Sequence, residues 1–316
     1  MISFVGAGPG AADLITVRGL RRLEAAELVI WPSSLVPREV LAPVPAGATV
    51  LDSAGMTLED VLDAYRSHPD SAVVRLHSGD PSLYGALAEQ IDWCVSEGRP
   101  FEIVPGVSSL GAAAACVQRE LTLPGISQSV VITRLASRTS ASVPEQESVR
   151  ALAAHGVTMA VFLSAARPDA LADELCAEGS GYDATTPAAI VIRATWPDER
   201  IVWTTLGELA ADLKSTGVTT TVLVLVGDVL GTARGRRSHL YSPAFAHAHR
   251  RRSKPGSTAG RPASPKRSGA GRAATGREDA TSTDSRSEAQ GRQRAEGDPS
   301  RSVGGPTAAG RPATEP

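Results

Sequence analysis

Glycine, proline and hydroxyl residues recur in three short segments, each of which follows a β-rich run. The segments read GAGPG at residues 6–10, SGDPSLYG at 78–85 and VPGVSS at 104–109. Glycine lets a backbone approach a ligand closely, and loops at strand ends are where open α/β sheets bind ligands. These three glycine loops therefore predict a small-molecule site that is lined by backbone groups and small side chains.

The first glycine loop fits the dinucleotide fingerprint G-x-G-x-x-G/A after a strand. That fingerprint requires a helix that begins inside the motif, whereas Pro9 and Gly10 postpone the helix to an N-cap at Thr16. It also requires an acid at the end of the second strand, but that strand ends in WPSS at residues 31–34. Both features weigh against a nicotinamide or flavin site, and a loop that merely turns the chain stays open.

Hydrolytic triads and metal sites have no counterpart in the sequence. It contains no GxSxG motif, no Ser-His-Asp pattern and no paired-histidine motif, and Cys94, Cys116 and Cys176 stand far apart. We therefore expect no metal and no disulfide framework, and we expect the thiols to be kept reduced in the cytoplasm. Because no apolar run approaches the roughly 20 residues of a membrane span, we expect no membrane partner.

Short β-rich runs alternate with helical patterns over the first 230 residues or so. We predict strands at 2–5, 28–31, 72–77, 101–104, 130–133, 158–163, 188–192 and 221–226. We predict helices at 17–27, 58–66, 82–96, 110–117, 147–154, 168–177 and 206–213. Such alternation favours an α/β fold with largely parallel sheets. The turn-rich stretch at 121–128 predicts two α/β domains, residues 1–121 and 122–231.

The formal net charge of -2 conceals two opposite parts. Residues 232–316 hold 17 basic and 7 acidic side chains, and no aromatic residue follows Phe245. The first 231 residues hold the other 15 basic and 27 acidic side chains. A segment with almost no aromatic or branched aliphatic residues buries too little apolar surface to offset its ordering entropy. We predict a disordered basic tail at 232–316, either a solvated extension or a weak, salt-dependent ligand of RNA or another polyanion.

Five segments in this order resemble the tetrapyrrole methylases, enzymes that use S-adenosyl-L-methionine in cobalamin and sirohaem synthesis. They are the three glycine loops, MAVFLSA at residues 159–165 and AAIVIRATWPDE at 188–199. The resemblance implies two α/β domains with the cofactor in the cleft between them, a homodimer and a tetrapyrrole substrate. Transferred position by position, it assigns the cofactor to Pro9, Ser78, Gly79, Asp80, Leu83, Ser108, Ser109, Leu163 and Ala194. Asp80 has an equally simple alternative role, which is to cap the turn before Pro81.

Within that family, RELTLPGISQSVVITR at residues 119–134 and HGVTMAVFLSA at 155–165 are most similar to a corrin branch. That branch methylates precorrin-4 at carbon 11, so the resemblance implies this reaction. Two other functions stay open: methylation of another corrin position, of RNA or of protein, and binding of a nucleotide without turnover. The scattered tryptophans form no stacking stripe, so we expect no nucleic-acid partner for the body of the chain.

Methyl transfer to a pyrrole carbon needs no nucleophile from the protein, because the substrate carbon attacks. We therefore name no catalytic base. The substrate carries several carboxylates, and arginine forks suit carboxylates through paired hydrogen bonds. We predict that Arg134 and Arg138 bind them, and solvated surface arginines are the alternative.

Overall fold

A computed structural model describes residues 1–136 and 143–231, together with Ser238, Leu240, Ser242 and Phe245. These residues fall in one compact unit, Met1–Pro262. Arg138 and nearly all of the predicted tail lie outside the described residues. In the described part, no helix is long and apolar enough to span a membrane. No group of three or more His, Cys, Asp or Glu side chains there could hold a metal ion.

The first sheet is parallel throughout. Its strands are β1 (Ile2–Gly6), β2 (Leu28–Trp31), β3 (Thr49–Asp52), β4 (Val73–His77) and β5 (Phe101–Val104). They lie in the order β3-β2-β4-β1-β5, which brings the carboxyl ends of β1, β4 and β5 together. The connecting helices are α1 (Val17–Glu24), α2 (Leu58–Arg66) and α3 (Ala88–Ser96). Helix α1 begins where the sequence predicts, because the Thr16 side chain accepts a hydrogen bond from Gly19 N.

The second sheet is mixed. Its strands are β6 (Val130–Arg134), β7 (Thr158–Phe162), β8 (Pro187–Ile192), β9 (Arg200–Thr205) and β10 (Val222–Val226). The order is β6-β7-β10-β8-β9, in which only the β6–β7 pair is parallel. Helices α5 (Val149–Ala153), α6 (Pro168–Leu175) and α7 (Leu209–Ser215) belong to the same part of the chain. The prediction of largely parallel sheets is confirmed for the first sheet and wrong for the second.

Alternate residues of the central strands enter different cores, as the period of a strand requires. In β1, Phe4 joins one apolar cluster with Tyr65, whereas Val5 joins another with Leu76. Helix α4 (Ser109–Cys116) follows the last strand of the first sheet, yet its Ala113 packs in a cluster made mainly by the second sheet. Helix α4 therefore connects the two sheets, and the predicted boundary at 121/122 stays a prediction.

Two edge strands and one turn differ from the sequence prediction. Strands β3 and β9 were not predicted, and both lie at sheet edges, where partly exposed residues weaken the alternation of apolar side chains. The helix predicted at 82–96 begins only at Ala88. Residues 81–84 form a turn and residues 85–87 are irregular, because Tyr84 and Ala86 have left-handed φ angles of 56° and 46° that a helix does not allow.

Candidate functional site

The three glycine loops meet at the carboxyl edge of the first sheet. Gly8 and Gly79 exchange backbone hydrogen bonds, with Gly79 N donating to Gly8 O over 2.8 Å. A Cβ atom added at Gly106 would lie 2.1 Å from Gly79 O and 2.7 Å from Gly6 Cα. Only glycine allows three backbones this close together, so the glycines are explained by packing between the loops.

Asp80 connects the second and third loops. Its Oδ2 accepts a hydrogen bond of 2.8 Å from Gly106 N, and its Oδ1 accepts one of 2.9 Å from Ser82 N. The Ser82 hydroxyl also donates to Oδ1. Partial burial opposes ionisation of this carboxyl, but hydrogen bonds from Ser82 and Gly106 hold its pKa below its usual range. Asp80 is thus an ionised turn cap, and its contact with a ligand stays a prediction.

The turn after β8 fastens the first glycine loop to the second sheet. Trp196 Nε1 donates to Pro9 O over 3.0 Å, and Ala11 N donates to Thr195 Oγ1 over 3.0 Å. The indole lies so close to Gly10 that a Cβ atom there would be 2.2 Å from Trp196 Cδ1. This contact explains why the loop has glycine at position 10.

A cavity of about 440 Å³ opens beside the three loops and the ends of the second sheet. All nine residues to which the resemblance assigns the cofactor line it: Pro9, Ser78, Gly79, Asp80, Leu83, Ser108, Ser109, Leu163 and Ala194. Arg134 lines it as well. Residues that follow strands of both sheets, and that the resemblance assigns to the cofactor, therefore lie at one cavity.

Sequence reasoning missed the other residues of the lining. They are Leu35, Tyr84, Phe162, Ser164, Ala165, Val191, Thr219, Thr220, Thr221, Val222 and Leu223. Tyr84 and Phe162 lie inside two of the motifs described above, SGDPSLYG and MAVFLSA, so these motifs were a signal from which both residues could have been predicted. Residues 219–221 carried no such signal. They reach the cavity because β10 runs antiparallel to β7 and β8, which brings its first residues to the edge where those strands end.

Hydroxyl groups and one buried imidazole complete the polar surroundings. Ser108 caps α4 by accepting a hydrogen bond from Leu110 N, and its own hydroxyl hydrogen is left to donate. His77, directly before the second loop, is buried and does not line the cavity. Burial, aided by the charge of Arg75, lowers the pKa of His77 to about 4. At neutral pH its imidazole is therefore uncharged.

Comparison with known proteins shows the family to which the chain belongs. The family model for tetrapyrrole (corrin/porphyrin) methylases matches residues 1–210, about two thirds of the chain. The chain belongs to this family. Its sequence is 46% identical over 244 residues to a precorrin-4 C(11)-methyltransferase of Rhodococcus erythropolis. The alignment covers 76% of this chain and 96% of that protein. It is 44% identical over 252 residues to a cobalt-precorrin-4 C(11)-methyltransferase of Methanocaldococcus jannaschii, covering 79% and 96%.

Solved structures of tetrapyrrole methylases share the fold. A cobalt precorrin-4 methyltransferase superposes with a TM-score of 0.69 at 41% identity, over 73% of this chain and 95% of that one. A uroporphyrin-III C-methyltransferase from Thermus thermophilus, in complex with S-adenosylhomocysteine, gives a TM-score of 0.59 at 30% identity, over 72% and 92%. The tetrapyrrole methylase fold that the sequence predicts is confirmed.

Proposed function

We propose that this chain transfers a methyl group from S-adenosyl-L-methionine to carbon 11 of precorrin-4, giving precorrin-5 in cobalamin biosynthesis. The observation that carries the proposal is the cavity, whose lining includes every residue that the family resemblance assigns to the cofactor. The names of the relatives at 46% and 44% identity support the carbon and the substrate. Relatives named for precorrin-4 and for cobalt-precorrin-4 are about equally similar to this chain. Both compounds are therefore included in the test as substrates.

The cavity fits a cofactor of this size and polarity. Its volume of about 440 Å³ lies within the range of about 300–1,000 Å³ common for small-molecule sites. Its lining combines the backbone of Gly79, the hydroxyls of Ser78, Ser108 and Ser109, and the apolar side chain of Leu83. We infer that these groups, with Pro9, Asp80, Leu163 and Ala194, hold S-adenosyl-L-methionine. When bound, it supplies an electrophilic methyl group on a sulfonium.

Positioning is the chemistry that these residues can perform. Among the described residues of the lining there is no cysteine, histidine or lysine, and the one carboxylate among them, Asp80, accepts hydrogen bonds from Ser82 and Gly106. The chain's contribution is then to hold the substrate carbon in line with the methyl group, at roughly 3–3.5 Å, and to exclude water. A cavity made of rigid loops and sheet ends suits this task.

We further propose that Arg134 binds a carboxylate of the substrate. Its place in the cavity lining supports this, because guanidinium groups bind carboxylates through paired hydrogen bonds. The same proposal for Arg138 rests on the sequence alone, since that residue lies outside the described part of the chain.

The proposed function is tested by incubating the full chain with S-adenosyl-L-methionine carrying a ¹³C methyl group. Precorrin-4 and cobalt-precorrin-4 are offered in separate reactions. We expect mass spectrometry to detect one added methyl on one of them, and ¹³C NMR to locate that methyl at carbon 11. Transfer to another carbon, or no transfer by a chain that binds S-adenosylhomocysteine, would contradict the proposal.

We also propose that the enzyme works as a homodimer in the cytoplasm. The family resemblance supports the dimer. Three free cysteines, Cys94, Cys116 and Cys176, support a reducing compartment. Light scattering during size exclusion should give twice the chain mass of 32.7 kDa, and a monomer at micromolar concentration would contradict the dimer.

A further inference from the structure

Three side chains from separate segments meet at one side of the cavity. Arg134 and Phe162 are register partners at the carboxyl ends of the parallel pair β6–β7. The ring of Tyr84, from the second loop, lies 5.3 Å from that of Phe162, tilted by 52°. All three residues line the cavity. We call Tyr84 and Phe162 the aromatic wall.

Tyr84 of the aromatic wall is exposed, whereas Phe162 is half-buried and packs against an apolar cluster of the second sheet. Tyr84 is 45% exposed, and Leu163, the residue after Phe162, is 63% exposed. Leu35 also lines the cavity and is exposed. Large apolar side chains that gather around one opening mark a surface that a ligand covers.

The turn that carries Tyr84 is strained and firmly held. Tyr84 and Ala86 have left-handed φ angles, which residues other than glycine rarely adopt. Gln90 Nε2 donates to Ala86 O over 3.0 Å, and the buried Tyr65 hydroxyl donates to Gln90 Oε1 over 2.7 Å. Strain of this kind persists only where the surroundings maintain it. The fold therefore stabilises one conformation of the turn, in which Tyr84 lines the cavity.

We propose that the aromatic wall is the surface on which the tetrapyrrole ring lies, with Arg134 binding a carboxylate at the edge of that ring. The proposal rests on the proposed function of the cavity and names the part of it that takes the substrate. A broad apolar macrocycle with carboxylates at its rim matches an aromatic pair beside a guanidinium. The resemblance assigns the cofactor to nine other residues of the lining, which leaves the aromatic wall to the substrate.

Two binding titrations separate the ligands. Uroporphyrin III, an octacarboxylate tetrapyrrole, is titrated by its fluorescence, and S-adenosylhomocysteine is titrated by calorimetry. We expect Tyr84→Ala and Phe162→Leu each to weaken uroporphyrin III binding about tenfold, since an aromatic contact contributes on the order of one factor of ten in affinity. Affinity for S-adenosylhomocysteine should change less than about twofold, which also shows that the variants fold.

Two variants make the comparison specific. Tyr84→Phe retains the ring and should recover most of the affinity that Tyr84→Ala loses, which assigns the effect to the ring and not to the hydroxyl. Trp203→Ala removes an exposed aromatic side chain that is absent from the cavity lining, and it should alter neither affinity.

The outcomes distinguish this proposal from the proposed function. Unchanged uroporphyrin III affinity in Tyr84→Ala and Phe162→Leu would overturn the aromatic wall, as would an equal loss of S-adenosylhomocysteine affinity. A wild type that binds neither uroporphyrin III nor precorrin-4 would overturn it too. If the variants lose tetrapyrrole affinity as expected but the wild type methylates no precorrin, the wall stands and the carbon-11 function fails.

Discussion

At the scale of single residues, Asp80 shows how far a motif can be interpreted from sequence. The pattern placed a carboxylate in a ligand-binding loop and left two roles open, a ligand contact and a turn cap. The structure shows the cap: Oδ1 accepts from Ser82 N and Oδ2 from Gly106 N. The second partner was not predictable from spacing, because Gly106 is 26 residues further along the chain.

Asp80→Asn should destabilise the chain and weaken cofactor binding. An asparagine amide group would face either Gly106 N–H or Ser82 N–H, leaving a donor unsatisfied, which typically reduces the free energy of unfolding by about 1–3 kcal/mol. Urea unfolding measures the first effect, and calorimetry with S-adenosylhomocysteine measures the second. The matched control, Asp63→Asn, removes an exposed carboxylate paired with Arg66 and should change stability by less than about 0.5 kcal/mol. Equal stability losses in both variants would refute the cap.

His77 makes a second prediction at this scale, on pH. Burial and the charge of Arg75 lower the pKa of His77 to about 4, and its Nε2 has no hydrogen-bond partner within the described residues. In the unfolded chain the pKa of histidine is about 6.5, so between about pH 6.5 and pH 4 the unfolded chain binds a proton at this residue and the folded chain does not. Stability should therefore fall as the pH drops from about 6.5 to 4, by on the order of 3 kcal/mol from this group.

The His77→Gln variant isolates that contribution. Its side chain does not titrate, so its free energy of unfolding should decline less than that of the wild type between pH 7 and pH 4. Urea unfolding at intervals of one pH unit measures the difference between the two curves. Parallel curves would show that His77 is not held neutral by burial.

At the scale of elements, the sequence predicted all six inner strands and two of the four edge strands, β5 and β6. The inner strands are apolar runs that are mostly buried, whereas the two strands that were missed, β3 and β9, contain no buried residue. The sequence predicted a helix from residue 82, but the Asp80 cap and the hydrogen bond from Gln90 to Ala86 O hold a turn there instead. The Asp80 and Gln90 side chains also accept hydrogen bonds from Gly106 N and from the Tyr65 hydroxyl, and a local pattern does not contain these distant partners.

Contact between the glycine loops supplies the prediction at this scale. In Gly106→Ala, the new Cβ atom would lie 2.1 Å from Gly79 O, so the loops must separate. We expect a stability loss of about 1–3 kcal/mol and weaker binding of S-adenosylhomocysteine, measured by urea unfolding and by calorimetry. Gly111→Ala is the matched control on α4, where an added Cβ meets nothing within 4 Å, and it should stabilise by about 0.5–1 kcal/mol. Unchanged binding in Gly106→Ala would contradict the packing argument.

At the scale of the whole molecule, the site depends on an arrangement that no single motif encodes. The sequence predicted two α/β domains, and the resemblance implied a cleft between them. Only the structure shows the hydrogen bond from Trp196 Nε1 to Pro9 O and the packing of α4 on the second sheet. The net charge of a long segment likewise does not determine the charge at the site. Residues 1–231 are acidic in total, yet the lining of the cavity contains Arg134.

One measurement tests the central claim, that a single cavity takes the cofactor at the glycine loops and the tetrapyrrole at the aromatic wall. It is a crystal structure of the full chain grown with S-adenosylhomocysteine and then soaked with uroporphyrin III. We expect S-adenosylhomocysteine within hydrogen-bonding distance of the 78–80 and 108–109 backbone or hydroxyls, and the macrocycle against Tyr84 and Phe162. Either ligand bound outside this cavity, or the two in exchanged positions, would contradict the account.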